Sequence, residues 1–535
     1  MQQIVTLKLP PELALTDAEL LRSLARKTGL SPRDITGFNL LKKSIDARGK
    51  SIWIHLTLQV FSGEPFSPQR PWEPRFRQVG SAQKSVIIIG SGPAGLFAAL
   101  QLIELGIRPI ILERGKTIRA RRRDLAALNR QGDLDPDSNY CFGEGGAGTY
   151  SDGKLYTRST KRGDVSRILK IFVHFGAHEN ILYEAHPHIG TNKLPQIITA
   201  IHKRIEDCGG ACHFEKKVVD FVIDRGRITR VITAGGDEFS ADAFILATGH
   251  SARDIFELLD RKKITLEAKP FALGVRAEHP QELINLIQYG EGYPEQLPPA
   301  SYSLVEQIDQ RGVFSFCMCP GGIIAPASTG PGELVVNGWS PSRRNNPYAN
   351  SGMVVQVAPE EVIGYLRKKK IRDEGSAPGS PLYMMEFQRL VEQAAFAAGG
   401  GRFIAPAQRM TDFVDGRVSG SLPTCSYPPG VRSAPLDTIL PDFISARLKK
   451  AFPIFGKKLT TRSARGGYFT NEAILVATES RTSSPVRIPR QVEGLHHPQI
   501  GNLYPCGEGA GYAGGIVSAA MDGERVARAI EAVFQ

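Results

Sequence analysis

The stretch SVIIIGSGPAGLFAALQLIELGIRPIILERG, Ser85 to Gly115, decides the fold. An apolar run of strand length ends in Gly90-x-Gly92-x-x-Gly95, an apolar helical run follows, and a second apolar run ends in Glu113, eighteen residues after the last glycine. Strand, glycine turn, helix and strand in that order make a dinucleotide-binding βαβ unit. Gly90 permits the tight turn, Gly92 lets a pyrophosphate approach the backbone, and Gly95 lets the helix lie close to the strand. The helix N-terminus then faces the phosphates, and Glu113 is expected to accept hydrogen bonds from adenosine ribose hydroxyls.

Further along, Val218 to Ile223 and Ile228 to Thr233 flank a turn at Arg225-Gly226 and precede an apolar strand ending in Ala247-Thr248-Gly249. A β-meander before an ATG strand end resembles the two-domain flavoproteins. Near the C-terminus NLYPCGEGAGYAGGIVSAAMDGERVARAI repeats the pattern of strand, glycine turn and helix. In those flavoproteins this helix directs its N-terminus at the flavin. Where they carry Gly-Asp, this chain has Gly507-Glu508. Two other segments, Gly143 to Gly148 and Gly509 to Gly514, match GxGxxG formally. The first lacks a preceding strand, and the second is the C-terminal motif itself. A reduced nicotinamide, NADH or NADPH, would therefore dock transiently rather than in a second Rossmann domain.

Ahead of this unit, residues 1–62 read as a small α+β domain of ferredoxin-like type. A strand is followed by a helix with the capping-box pattern Thr16-x-x-Glu19, closing near Gly29, and then by a hairpin whose Ile54, Leu56, Leu58 and Val60 alternate. Pro65, Pro68, Pro71 and Pro74 mark residues 63–82 as a linker. The remaining boundaries are expected as a first FAD-domain segment at 83–255, an inserted α+β substrate domain at 256–470, and a second FAD-domain segment at 471–535. The 535 residues carry 41% hydrophobic side chains and a net charge of +12, with seven cysteines in irregular spacing. That composition excludes wholesale disorder and a secreted disulfide framework. With no apolar leader and no unbroken spanning segment, the expected location is the cytoplasm. The basic balance permits an anionic partner, but no nucleic-acid module is evident; the cluster Arg119, Arg121, Arg122 and Arg123 reads as a solvated helix face.

Several motifs together resemble one family, the uncharacterised FAD-dependent proteins known as NAD(FAD)-utilising dehydrogenases. They are SIDAR (Ser44 to Arg48), the GSGPAG turn, FGEGGAGTYSDGKL (Phe142 to Leu155), PHIGTNKL (Pro187 to Leu194), ATGHSARD (Ala247 to Asp254), KPFALGVRAEHP (Lys269 to Pro280), FCMCPGG (Phe316 to Gly322) and GEGAGYAGGI (Gly507 to Ile516). The resemblance implies an α/β fold: a Rossmann-like FAD-binding domain with a β-meander and an inserted substrate domain. It assigns the ADP half of FAD to Gly90, Gly92, Pro93, Ala94, Gly95, Glu113 and Arg114. Gly148, Thr149, Ser151 and Lys154 would lie by the flavin ring, and Val219 would meet the adenine through its backbone. Ala247, Thr248 and Gly249, with Gly507, Glu508, Gly515 and Ile516, would complete the site.

His250, Lys154 and Arg276 are the catalytic candidates. His250 follows a strand end, where doubly wound folds carry chemistry, and the two cations suit an anionic substrate or the flavin. No complete metal shell accompanies His186 and His188. The CxC of FCMCPGG reads as a glycine-bounded turn whose sulfurs line a pocket, not as a disulfide or a metal clip. The expected activity is an FAD oxidoreductase acting through flavin N5 on a small molecule. An RNA-modifying flavoprotein and a flavin-bearing regulatory protein with little turnover stay open as alternatives.

Overall fold

The structure is a computed structural model that describes residues 1–14, 16–49, 51–68, 72–157, 159, 162–369, 379–461 and 466–535. Its centre is a five-stranded parallel sheet in the order Leu503–Pro505, Ala243–Leu246, Ser85–Ile89, Arg108–Leu112, Ala211–His213. Leu503–Pro505, Ala243–Leu246 and Ser85–Ile89 are short, apolar and almost wholly buried, as a parallel sheet between packed layers requires. The helix Pro93–Leu105 covers one face and packs directly on the C-terminal helix Ile516–Phe534. Gly523 makes that approach possible, because a Cβ there would stand 2.1 Å from the Ala94 carbonyl oxygen. The contact brings the N-termini of both helices to the same end of the sheet. The meander Val218–Asp224, Arg227–Thr233, Glu238–Phe239 forms a separate antiparallel sheet over the opposite face.

The insert is built on a seven-stranded sheet in the order Val305–Ile308, Arg311–Cys319, Tyr348–Val357, Phe271–Pro280, Ile474–Glu479, Ala405–Arg409, Val431–Ser433. Ile474–Glu479 pairs on both sides inside this sheet and is wholly buried. The chain therefore returns to the nucleotide domain after Glu479, not at residue 471 as its sequence suggests. A buried strand between two partners belongs to the sheet that satisfies its hydrogen bonds.

The N-terminal unit is a three-stranded antiparallel sheet, Gln2–Leu9, Trp53–Ser62, Ile35–Asp46, with the helix Asp17–Thr28 against it. Its main elements run βαββ, four of the six of a full ferredoxin-like unit. Gly29 ends the helix with φ 72°, but the capping box does not form: Thr16 makes no side-chain cap, and Glu19 pairs with Arg22. The linker has no helix or strand among its described residues, and Pro71 lies outside them. It is fastened at its end, where the Val79 amide donates to the Cys208 carbonyl at 2.7 Å.

Candidate active site

A cavity of about 390 Å³ opens at the end of the parallel sheet where the two helix N-termini meet, within the size range of small-molecule sites. The first turn enters it through Gly90, with φ 106°, where a Cβ would strike the Ala247 carbonyl oxygen at 2.5 Å. Gly95 lies behind the wall, and a Cβ there would stand 2.1 Å from the Gly90 carbonyl oxygen. The two glycines thus serve close packing of strand ends and helix, while Gly92, Pro93 and Ala94 line the cavity itself. Gly92 is the N-cap of its helix and Gly515 the N-cap of the C-terminal helix; neither helix has a side-chain cap. Both therefore direct unpaired amides and the positive end of the helix dipole into one space.

The loop from Cys141 to Lys154 forms another wall, and Arg121 holds it in place. That guanidinium is fully buried and donates to the carbonyls of Asn139, Tyr140, Glu144 and Gly146 at 2.8, 3.1, 2.8 and 2.9 Å. Arg119, Arg122 and Arg123 are exposed, as a solvated face predicts, but Arg121 is a structural pin. Only the structure shows this, because the carbonyls it gathers lie eighteen or more residues away.

Most of the expected cofactor residues line this cavity: Gly90, Gly92, Pro93, Ala94, Glu113, Arg114, Gly148, Ser151, Lys154, Ala247, Thr248, Gly249, Glu508, Gly515 and Ile516. Four do not. Gly95 lies behind the turn; Thr149 is buried and bonds the Glu144 carbonyl at 2.7 Å; Gly507 gives its amide to Asp522 at 2.8 Å; and Val219 is exposed while Val218 faces inward. Glu113 lines the cavity and is also held from within the chain. Its carboxylate accepts from the Ser91 amide and hydroxyl and from the amides of Gly115 and Gly143, at 2.8 to 3.0 Å. Those four donors fill its acceptor positions from within the chain and tie three turns together. Arg114 lies over the Phe142 ring at 4.3 Å and pairs with Asp254 at 2.7 Å.

Of the three catalytic candidates, His250 and Lys154 reach the cavity and Arg276 does not. His250 Nδ1 lies 3.5 Å from Glu508. Arg276 is fully buried, pairs with Glu479 at 2.9 Å, and donates to the Cys317 carbonyl at 2.8 Å, so it stands behind the wall. Burial pushes Glu479 up to about 7, although Arg276 opposes the shift. Asp152, Asn337, Arg481 and Thr482, none of them singled out individually from the sequence, also line the cavity. Asp152 is 1% exposed and meets Lys154 at 3.3 Å and Arg344 at 3.5 Å. Asn337 comes with Phe316 and Cys317 from the insert, and Arg481 and Thr482 follow its last strand. Cys506 is fully buried and burial raises its pKa well above the ordinary thiol value, as inert packing requires.

A dinucleotide with a flavin fits this donor set. Two uncapped helix N-termini suit the pyrophosphate and the polar edge of the ring, and glycines with open space beside them, Gly249, Gly514 and Gly515, leave room for close approach.

Residues 83–126 match the family described as FAD binding domain, and residues 270–482 match FAD-dependent protein, C-terminal domain-like. Residues 1–61 match a domain of unknown function. Among solved structures, the chain is similar to CtdE in complex with FAD, at 11% identity and a TM-score of 0.30 over 84% of this chain and 85% of that one. It is also similar to CmlS, a flavin-dependent halogenase, at 13% identity and a TM-score of 0.33 over 84% of this chain and 57% of that one. An uncharacterised protein of Clostridium beijerinckii is 38% identical over 528 residues, which cover 95% of each chain. The chain belongs to the family of that protein, within the FAD-dependent flavoproteins.

Proposed function

We propose that this chain is an oxidoreductase whose bound FAD supplies hydride or electron transfer at N5, acting on a small molecule seated between the Lys154 loop and the insert. The observation that carries this reading is one continuous cavity lined both by the nucleotide-domain glycine turns and by Phe316, Cys317 and Asn337 of the insert, with Arg481 and Thr482 just beyond its last strand. The N-terminus of Pro93–Leu105 would hold the diphosphate, and that of Ile516–Phe534 would steady negative charge on a reduced ring. His250 and Glu508 stand where a proton can be held at Nδ1. The Lys154 ammonium would orient an anionic substrate. Burial alone would lower its pKa, but Cys317, Cys319 and Asp152 outweigh that effect and keep it charged. NADH or NADPH is the donor in this reading, docking transiently at the same opening.

Anaerobic mixing of purified protein with NADH and with NADPH tests both parts. A yellow protein whose long-wavelength flavin band bleaches with at least one nicotinamide is the expected result. A protein that stays colourless after incubation with FAD would refute the cofactor assignment. A stable yellow protein bleached by neither would refute the donor.

A further inference from the structure

The strand Arg311–Cys319 pairs regularly with Tyr348–Val357 until Phe316, loses register, and resumes at Cys319. Inside that bulge Cys317 adopts φ 47°, a left-handed conformation that a residue with a side chain rarely takes and that clusters at functional sites. The bulge re-aims the side chain, as bulges beside active sites do, and Cys317 lines the cavity. Lys154, from the opposite wall, places Nζ 3.7 Å from the sulfurs of both Cys317 and Cys319. Arg276 donates to the Cys317 carbonyl at 2.8 Å and to the Cys319 sulfur at 3.4 Å from behind.

We propose that Cys317 is a resident thiolate nucleophile at the insert end of the cavity, and that the ligands taken there are small conjugated carbonyl compounds. The sulfur lone pair forms the S–C bond at the β-carbon, the carbon–carbon π pair moves onto the carbonyl oxygen, and a proton from solvent returns the enolate to a saturated carbonyl compound. No oxidant or reductant is needed. The charged surroundings favour the thiolate: Lys154 and Arg276 face it, Asp152 and Glu479 pair with those cations, and Cys319 supplies an adjacent thiol. Hydrogen bonding with Cys319 lowers the Cys317 pKa well below the ordinary thiol value; burial opposes this, and Lys154 and Arg276 reinforce it. Burial holds Cys319 in the opposite direction, as the protonated partner. Lys154 and Cys317 are 163 residues apart and come from different domains, so the pair exists only in the folded chain.

This inference goes beyond the redox reading and is separable from it, because labelling is read on the full chain both with and without added FAD. The probe is N-ethylmaleimide, a conjugated carbonyl compound, with the modified cysteine located by peptide mass spectrometry between about pH 6 and pH 9. Without FAD, Cys317 is expected to react first, at a rate nearly flat across that range, and added FAD is expected to change the rate without restoring an ordinary thiol profile. Lys154→Met is expected to turn the flat profile into one that falls towards the acid end, by about twofold at pH 6 for a rise of roughly one unit of pKa. Lys154→Arg, which keeps the charge, should recover most of the rate. If Lys154→Met does not fold, the native pH profile decides alone. A rate that climbs about tenfold per pH unit through the ordinary thiol range would overturn the proposal. So would a Cys317 left unmodified in the folded chain.

Discussion

Gly92→Val is expected to fold and to lose FAD. Gly92 has φ −71° and ψ −177°, a conformation that valine adopts readily, and a Cβ there meets nothing closer than the Gly146 Cα at 4.0 Å. The branched methyls would instead occupy the cavity that Gly92 lines, over the amides at the start of Pro93–Leu105. A melting temperature close to the parent's should therefore accompany FAD affinity weaker by about a hundredfold or more, roughly 2.7 kcal/mol. Gly95→Ala is the contrasting case. Its Cβ would stand 2.1 Å from the Gly90 carbonyl oxygen, so strand and helix must separate, and stability should fall by about 1–3 kcal/mol. Flavin absorbance retained through gel filtration, together with thermal unfolding, distinguishes the two. If Gly92→Val keeps full flavin content, the placement of the pyrophosphate is wrong.

The second large effect concerns the joint between the nucleotide domain and the insert. Glu392 has no exposed surface and accepts from Arg253 at 2.9 Å, from Arg481 at 3.0 and 3.1 Å, and from Ser480 at 2.6 Å. Arg253 belongs to the helix after the ATG strand and Glu392 to the helix Tyr383–Gly399 of the insert. Glu392→Leu would leave two buried guanidinium groups with only Glu333, at 3.0 and 3.1 Å, to share as counter-charge, and should cost about 3–5 kcal/mol. For a unit of this size that is a fall in melting temperature on the order of 10 °C. Lys368→Met removes an ion pair with Asp442 whose side chains are 72% and 83% exposed, and should change stability by less than about 1 kcal/mol. Equal effects from the two variants would show that the buried network does not hold the joint.

The same carboxylate predicts a pH dependence. Burial raises its pKa, but Arg253 and Arg481 outweigh burial and hold it down at about 2, against an ordinary 4.5. A depressed carboxylate contributes stability that is present above its unfolded value and lost as pH falls. The Glu392 contribution should therefore be complete above about pH 4.5 and disappear towards pH 2. Chemical denaturation at a series of acid pH values should show the Glu392→Leu deficit shrinking across that window.

The motif Gly90-x-Gly92-x-x-Gly95, the ATG strand end and the C-terminal glycine turn were legible in the sequence, and they lead to the same cavity. Their information is local. Each glycine reports what a Cβ would strike within a few residues or at an adjacent strand end, and apolar runs of strand and helix length report the βαβ order. The alternation of Ile54, Leu56, Leu58 and Val60 is of the same kind, since burial on one face of a strand repeats every second residue. The roles of several charged groups were not legible. Arg121 looked like its exposed neighbours, Arg276 looked like a substrate contact, and Glu113 looked free for a ribose.

Those groups were decided by partners that only chain crossing supplies. Arg276 meets Glu479 across 203 residues, Arg253 meets Glu392 across 139, and Lys154 meets Cys317 across 163. No spacing rule links such positions, because the strand on which Glu479 ends is placed by pairing on both sides in the insert's sheet. Sequence alone determined a dinucleotide-type turn and its helix, because backbone clearance and periodic burial are written in neighbouring residues, while the flavin was implied by the resemblance of several motifs to a known family. The tertiary structure decided which charges are buried, which line the cavity and which sulfur stands beside an ammonium, because electrostatic environment depends on what the fold brings within a few ångströms.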